Sequence, residues 1–138
     1  VTTIGDEAFC GCKNIKELAL PDSVVDIGSG AFASCSGLKE FTIPSKITII
    51  KDETFKNLGS IEELTIPEGV TEIGSNAFYN CSGLRSVTIP GSVTKISGGA
   101  FSGCTSLTSI VIPDSVTLIG AQAFSRCLNL ANNSRQSS

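Results

Sequence analysis

The stretch Val24-Val25-Asp26-Ile27-Gly28-Ser29-Gly30-Ala31-Phe32 decides the fold, because the chain repeats its pattern every 23 residues. The copies begin at residues 1, 24, 47, 70, 93 and 116, with no insertion or deletion between them. A unit this short cannot bury its apolar face alone, so it must stack on its neighbours. The period therefore predicts a solenoid of six coils.

Equivalent residues of successive coils should lie above one another, so the repeat can be read column by column. The most regular column is Phe9, Phe32, Phe55, Phe78, Phe101 and Phe124. A second column is Ile4, Ile27, Ile50, Ile73, Ile96 and Ile119. Both columns are predicted to form the core, since stacked repeats bury one continuous apolar surface.

An alternating stretch ends each repeat, as in Leu38-Lys39-Glu40-Phe41-Thr42-Ile43-Pro44. Alternation predicts a short strand with Phe41 and Ile43 inward, and stacked copies would form a parallel sheet. Proline cannot donate to a ladder, so the prolines at 21, 44, 67, 90 and 113 should end the strands and turn the chain. The small residue before each phenylalanine predicts a tight bend followed by a helical turn.

These columns carry a resemblance to a known family. The pattern V/I-x-x-I-G/K/S-x-x-A/T-F-x-x-C/L-x-x-L/I, followed by the strand and L/I-P, resembles the BspA-type leucine-rich repeat over residues 1–130. The asparagine ladder of commoner leucine-rich repeats is replaced by Ser23, Lys46, Gly69, Ser92 and Ser115. The resemblance implies a right-handed α/β-type leucine-rich repeat solenoid with short parallel strands and helical or 3-10 turns. It also implies a protein-binding or adhesive module of a secreted or cell-surface protein, in some members one that binds host matrix proteins.

The chain is predicted to be one domain, a solenoid over residues 1–130 followed by a polar, disordered tail at 131–138. The sequence opens on Val1 at the first position of a repeat, without an initiator methionine, which indicates a fragment of a longer array. Solenoids usually need polar capping repeats, and neither end has a recognisable one. A structural spacer or an array that self-associates through its open ends is therefore the alternative function.

Composition argues against several classes of function. Without histidine, Ser-His and Cys-His nucleophile arrangements are excluded, and no phosphate-binding loop motif is present. A net charge of −3 supplies no basic stripe for nucleic acid. No apolar run approaches the roughly 20 residues that span a bilayer. We expect no enzymatic activity, no cofactor, no nucleic-acid partner and no membrane insertion.

Cysteine fills one column at Cys12, Cys35, Cys81, Cys104 and Cys127, with Leu58 in the third copy. A cysteine interchangeable with leucine is behaving as a small core residue. Disulfides between adjacent coils remain an alternative, whereas zinc lacks the convergent ligands it needs. Cys10 lies outside the column and is the candidate for an exposed thiol.

The outward side of the predicted strand is the candidate binding face, because repeat proteins use the concave sheet face for recognition. Its residues are Lys16, Glu17, Lys39, Glu40, Thr42, Glu62, Glu63, Thr65, Arg85, Ser86, Thr88, Thr108 and Ser109. The face is charged toward the N-terminal half and rich in hydroxyls toward the C-terminal half. The alternative is that Ser and Thr merely suit an exposed strand.

Two further hypotheses concern single columns. The threonines at 2, 48, 71, 94 and 117 could order water, as in ice-binding solenoids. The column Glu17, Glu40 and Glu63 could bind calcium, although Lys16 and Lys39 nearby could simply neutralise it.

Overall fold

Each coil has three sides, and each side lies at a fixed place in the 23-residue repeat. The first strand side holds repeat positions 3 and 4, the turn side positions 7 to 11, and the second strand side positions 17 to 19. The computed structural model describes residues 2–130, so the predicted tail at 131–138 lies outside the described residues. The described residues form five coils and the first two sides of a sixth.

Ten short strands provide the two strand sides. They are β1 (Thr3–Ile4), β2 (Glu17–Leu18), β3 (Asp26–Ile27), β4 (Glu40–Phe41), β5 (Ile49–Ile50), β6 (Glu63–Thr65), β7 (Glu72–Ile73), β8 (Ser86–Thr88), β9 (Lys95–Ile96) and β10 (Leu118–Ile119). On the first strand side β1 pairs with β3, and β5, β7, β9 and β10 form a four-stranded sheet. On the second strand side β2 pairs with β4 and β6 with β8.

Every pairing is parallel and joins residues one repeat apart. Ile73, for example, pairs with Ile50 on one side and Ile96 on the other. A bridge between Ser86 and Ser109 extends the second strand side into the fifth coil. This arrangement confirms the predicted solenoid with its parallel strands.

The turn side differs from the helical turn that the sequence predicts. No helix forms among residues 2–130, and the segment is a run of consecutive turns. In each coil, repeat positions 7 and 11 have left-handed backbone, as at Glu53 (φ 60°) and Asn57 (φ 63°). A left-handed residue at every fourth place cannot continue a right-handed helix, which explains the difference.

The same backbone creates a hydrogen-bonded ladder along the turn side. The N–H groups of positions 7, 9 and 11 donate to carbonyls of the next coil, as Phe55 does to Ala77 at 2.9 Å. Three such bonds join each pair of successive coils between residues 2 and 130. We call this set of bonds the turn ladder.

The phenylalanine column forms the centre of the core, as predicted. Rings of neighbouring coils stack with centroids 5.1–5.9 Å apart and planes within 13° of parallel. Phe41, the seventh phenylalanine, tilts against Phe32 and Phe55 from the second strand side. The predicted isoleucine column is also buried, apart from the partly buried Ile119.

Proline makes the corner that the sequence predicts. Each proline carbonyl accepts a hydrogen bond from the N–H three residues later, as Pro67 does from Val70 at 3.3 Å. The column at the place of the asparagine ladder, which holds Ser23, Lys46, Gly69, Ser92 and Ser115, lies in this corner. Ser92 and Ser115 donate their hydroxyls to the carbonyls of Val70 and Val93, the first residues of the same copies, at 2.7 and 2.6 Å.

Gly74 provides a test of how closely the coils pack. A Cβ added there would lie 2.7 Å from the backbone nitrogen of Asp52 and 2.8 Å from the carbonyl carbon of Lys51. We expect Gly74→Ala to lower the free energy of unfolding by about 1–3 kcal/mol, since backbone must move to make room. Gly91, where a Cβ would meet nothing within 4 Å, is the matched control. Equal midpoints for Gly74→Ala and Gly91→Ala in chemical denaturation would contradict close coil packing.

Candidate functional site

The thirteen residues predicted to form the binding face all lie on the outward side of the second strand side, and all are exposed. Between them, inward residues such as Phe41, Leu64 and Val87 are buried. The strands position the residues at repeat positions 17 and 19, because alternate side chains of a strand point to opposite sides, and the residues at position 16 directly precede the strands. We call these thirteen residues the second-strand face.

Stacking places like residues of this face side by side. Glu17 lies in register with Glu40, and Glu63 with Ser86. Like charges directly opposite each other in a sheet reduce stability. Neither Glu17 nor Glu40 forms an ion pair within residues 2–130.

The charged pair on this face is weakly held. Arg85 Nη1 lies 3.4 Å from Glu62 Oε1, and both side chains are about two-thirds exposed, at 68% and 67%. An exposed ion pair contributes about 0–1 kcal/mol because water and salt screen it. Either group can therefore exchange its partner for one on another protein at small cost.

A shallow depression brings together part of the second-strand face. Its volume is about 850 Å³, and its lining includes six of the thirteen residues: Lys39, Glu40, Thr42, Glu62, Glu63 and Arg85. A second depression of about 380 Å³ is lined by Glu17, Glu40 and Thr42. A third, of about 280 Å³, includes Thr65. Lys16, Ser86, Thr88, Thr108 and Ser109 lie on the same side of the solenoid, outside these three depressions.

Sequence reasoning missed four residues that line the larger depression: Gly59, Ser60, Gly83 and Ser106. They belong to the short segment that precedes the second strand side. Small residues recur there in copies two to five, as Ser36-Gly37, Gly59-Ser60, Ser82-Gly83 and Thr105-Ser106. That recurrence is the signal that could have identified the rim of the depression.

The cysteine column has a role in addition to packing. Cys81 Sγ donates to the carbonyl of Phe55 at 3.1 Å. In the same way, Cys35, Cys104 and Cys127 each donate to the phenylalanine carbonyl of the coil directly before their own. Each of these bonds spans 26 residues and links one coil to the coil before it. All six thiols are free in the structure, with Cys10 exposed as predicted.

The surroundings of two cysteines of the column, Cys35 and Cys127, disfavour the reactive thiolate. Burial raises the pKa of the Cys35 thiol. Hydrogen bonding with Cys104, and then burial, raises the pKa of Cys127. Since the thiolate is the nucleophile, these thiols are poor candidates for chemistry.

The two single-column hypotheses find little support in the geometry. Within the described residues, no three His, Cys, Asp or Glu side chains are grouped so that they could hold a metal ion, and this includes Glu17, Glu40 and Glu63. In the threonine column, the hydroxyls of residues 71, 94 and 117 approach carbonyls of the preceding coil at 3.3–3.4 Å. These hydroxyls are directed to the backbone, which leaves them less available to order water.

The architecture is that of a parallel solenoid of the leucine-rich repeat class. Six copies of the BspA type leucine rich repeat match residues 2–131, so the chain belongs to the BspA-type leucine-rich repeat family. Residues 2–130 contain no helix long and apolar enough to cross a bilayer. A search of curated proteins finds no match.

Solved bacterial structures share the fold. A leucine-rich repeat protein from Bacteroides ovatus is 33% identical with a TM-score of 0.71, the match covering 98% of this chain and 41% of that one. A leucine-rich cell surface protein from Faecalibacterium prausnitzii is 35% identical with a TM-score of 0.75, covering 96% and 42%. A leucine-rich repeat protein from Eubacterium ventriosum is 29% identical with a TM-score of 0.84, covering 99% and 36%. The chain thus spans less than half the length of these three relatives.

Alkylation of the folded protein tests the thiol environments. We expect iodoacetamide to modify exposed Cys10 first, and to leave buried Cys104 unmodified until the chain unfolds. Mass spectrometry of peptides from a time course measures both rates. The Cys10→Ser variant is the control and should lose the fast phase. Modification of Cys104 as fast as that of Cys10 in native protein would contradict the buried column.

Proposed function

We propose that this chain is a non-enzymatic protein-recognition or adhesion module of a secreted or cell-surface protein, which binds its partner through the second-strand face. One observation carries the proposal. Thirteen polar and charged side chains from five successive coils lie exposed on one side, and six of them line a depression of about 850 Å³. An extended, regularly spaced surface of this kind suits a macromolecular partner better than a small molecule.

The chemistry of the face supports binding of modest strength. It presents carboxylates, two lysines, one arginine and hydroxyls, but no large aromatic side chain of the kind that dominates binding energy at interfaces. Weak contacts repeated along an array can still give tight binding through multivalency. Adhesion through many coils is consistent with this pattern.

Family membership supports the class of partner and the location. One relative of known structure is described as a cell surface protein. We propose a host matrix or surface protein as the partner, in line with the family. The absence of histidine from the chain also supports a role without catalysis, since it removes the usual general base.

Paired charge reversals test the binding face. Glu40→Lys combined with Arg85→Glu should weaken binding about tenfold or more, because complementary charges fix the partner's orientation. Binding would be measured by surface plasmon resonance against a panel of purified matrix proteins. The melting temperature should stay close to that of the unaltered chain, as both side chains are exposed.

The matched control reverses two exposed charges in the proline corners, Lys46→Glu with Glu68→Lys, which leaves the net charge equally unaltered. This control should bind as the unaltered chain does. Equal weakening in both double variants would contradict the second-strand face as the site, and absence of binding to the whole panel would contradict the proposed partner class.

The alternative function, self-association through the ends, is favoured by one feature of the first coil. Phe9, Cys12, Ile15, Leu18 and Leu20 are only partly buried. Their equivalents one coil later are at most 9% exposed. The end face of the first coil therefore presents apolar surface that another copy of the chain could cover.

Light scattering over a concentration series distinguishes the two functions. If ends associate, the apparent mass should rise with concentration, and polar caps fused to both ends should hold the protein monomeric. Face variants should not alter the mass. A capped protein that associates as strongly as the uncapped chain would rule out the ends as the contact.

A further inference from the structure

The boundary between the second and third coils is unlike the other coil junctions in the described chain. On the first strand side β3 does not pair with β5, and on the second strand side β4 does not pair with β6. At the next junction, Thr71 donates its N–H to Thr48 at 2.8 Å, and Arg85 donates to Glu62 at 2.7 Å. The corresponding N–H groups of Thr48 and Glu62 have no backbone acceptor in the second coil. We call this boundary the ladder break.

Residue size in the third coil explains the break. Four columns that hold smaller residues in most other copies hold larger ones here: Ile47 for valine, Lys51 for glycine, Thr54 for alanine and Leu58 for cysteine. In the second coil, Phe41 occupies a column that is otherwise Leu18, Leu64, Val87 and Ile110. Larger side chains between two layers force them apart, since a packed core has no spare volume.

The phenylalanine rings report the same separation. Phe32 and Phe55, on either side of the break, have centroids 5.9 Å apart, whereas the other stacked neighbours are 5.1–5.5 Å apart. Phe41 contacts both rings at a tilt, with centroid distances of 5.0 and 5.5 Å. Its ring lies on the second-strand side of the column, where the strands have separated.

The turn ladder continues across the break. Gly30, Phe32 and Ser34 donate to the third coil at 3.0, 2.9 and 2.7 Å. Outside the turn ladder, the junction is held by the packing of Phe41 on Phe55 and by three polar side-chain contacts. These are the ion pair of Lys51 with Asp26 at 2.7 Å, the hydroxyl of Ser60 on the carbonyl of Ser36 at 2.8 Å, and the hydroxyl of Thr54 on the carbonyl of Gly28 at 3.4 Å. All of these contacts are made by side chains, which can lengthen or rotate without unfolding either coil.

We infer that the ladder break is a joint between two rigid blocks, coils one and two on one side and coils three to six on the other, with the turn ladder as its axis. A continuous row of backbone hydrogen bonds along one side, with no backbone hydrogen bond between the two coils along the strand sides, permits rotation about that row. Such local opening takes place where few backbone hydrogen bonds must be broken.

The joint lies beneath the second-strand face. The depression of about 850 Å³ is lined by residues of both blocks, among them Lys39 and Glu40 from the second coil and Glu62 and Glu63 from the third. Rotation at the joint would change the spacing between these charged groups. The joint is defined by the missing strand pairings and by the residue sizes at the junction, whether or not the face binds a partner.

Amide hydrogen exchange measured by NMR tests the missing ladder. Thr48 and Thr71 are the same residue type in the same column, and each follows a branched aliphatic residue. We expect the amide of Thr48 to exchange about tenfold faster or more than that of Thr71, because only Thr71 is held by the preceding coil. Equal protection of the two amides would overturn the inference.

Residual dipolar couplings test the motion itself. Alignment tensors would be fitted separately to the amide couplings of coils one and two and to those of coils three to six. The tensor of coils one and two should have a smaller magnitude or a different orientation from that of coils three to six. Coils three and four against coils five and six are the matched comparison and should share one tensor. One tensor that fits all residues of coils one to six would overturn the joint.

A variant that restores the column residues tests the cause. Phe41→Leu with Lys51→Gly and Thr54→Ala should slow exchange at Thr48 toward the rate of Thr71 and bring the two blocks under one tensor. Unchanged fast exchange at Thr48 in the folded variant would overturn residue size as the cause of the break. If this variant fails to fold, the amide exchange rates and the alignment tensors of the unaltered chain still test the joint.

Discussion

The turn side holds the molecule together, because it alone joins every pair of successive coils in the described chain without interruption. Left-handed residues at repeat positions 7 and 11 free the N–H groups of positions 7, 9 and 11 to donate to the next coil. The phenylalanine between them stacks on its counterparts above and below. The backbone ladder and the ring column thus fix the same register between successive coils. The strands of the other two sides pair in that register. The strand sides can separate, as they do between coils two and three, while the turn side remains intact.

Much of the fold could be predicted from the sequence, since a fixed period forces equivalent residues into columns. The buried phenylalanine and isoleucine columns, the parallel strands and the proline corners were all predicted correctly. The helical turn was not, because residues such as Glu53 and Arg126 adopt left-handed backbone without a local signal that demands it. That conformation occurs together with the turn ladder, whose hydrogen bonds join residues 22 apart and so cannot be read from one repeat.

Prediction of the candidate site was likewise partial. Alternation within the strand accounts for the residues at repeat positions 17 and 19, whereas those at position 16 directly precede the strands; all thirteen residues are exposed. The depression was not foreseen, because its shape depends on Gly59, Gly83 and the separation of two strands. The third copy departs from the consensus at residues such as Lys51 and Leu58. When the columns are considered one at a time, these replacements give no sign that they affect the packing of the coils. Their combined volume matters only once the coils are stacked, and it places the joint under the centre of the face.

Double-mutant cycles on the phenylalanine column test most directly that stability is carried by nearest-neighbour stacking along the turn side. Phe55→Leu and Phe78→Leu, whose rings are stacked 5.4 Å apart, should show a coupling energy of about 0.5–1.5 kcal/mol in the free energy of unfolding. Phe32→Leu and Phe101→Leu, three coils apart, should be additive within about 0.5 kcal/mol. Additive effects for the stacked pair, or equal coupling for both pairs, would contradict the account.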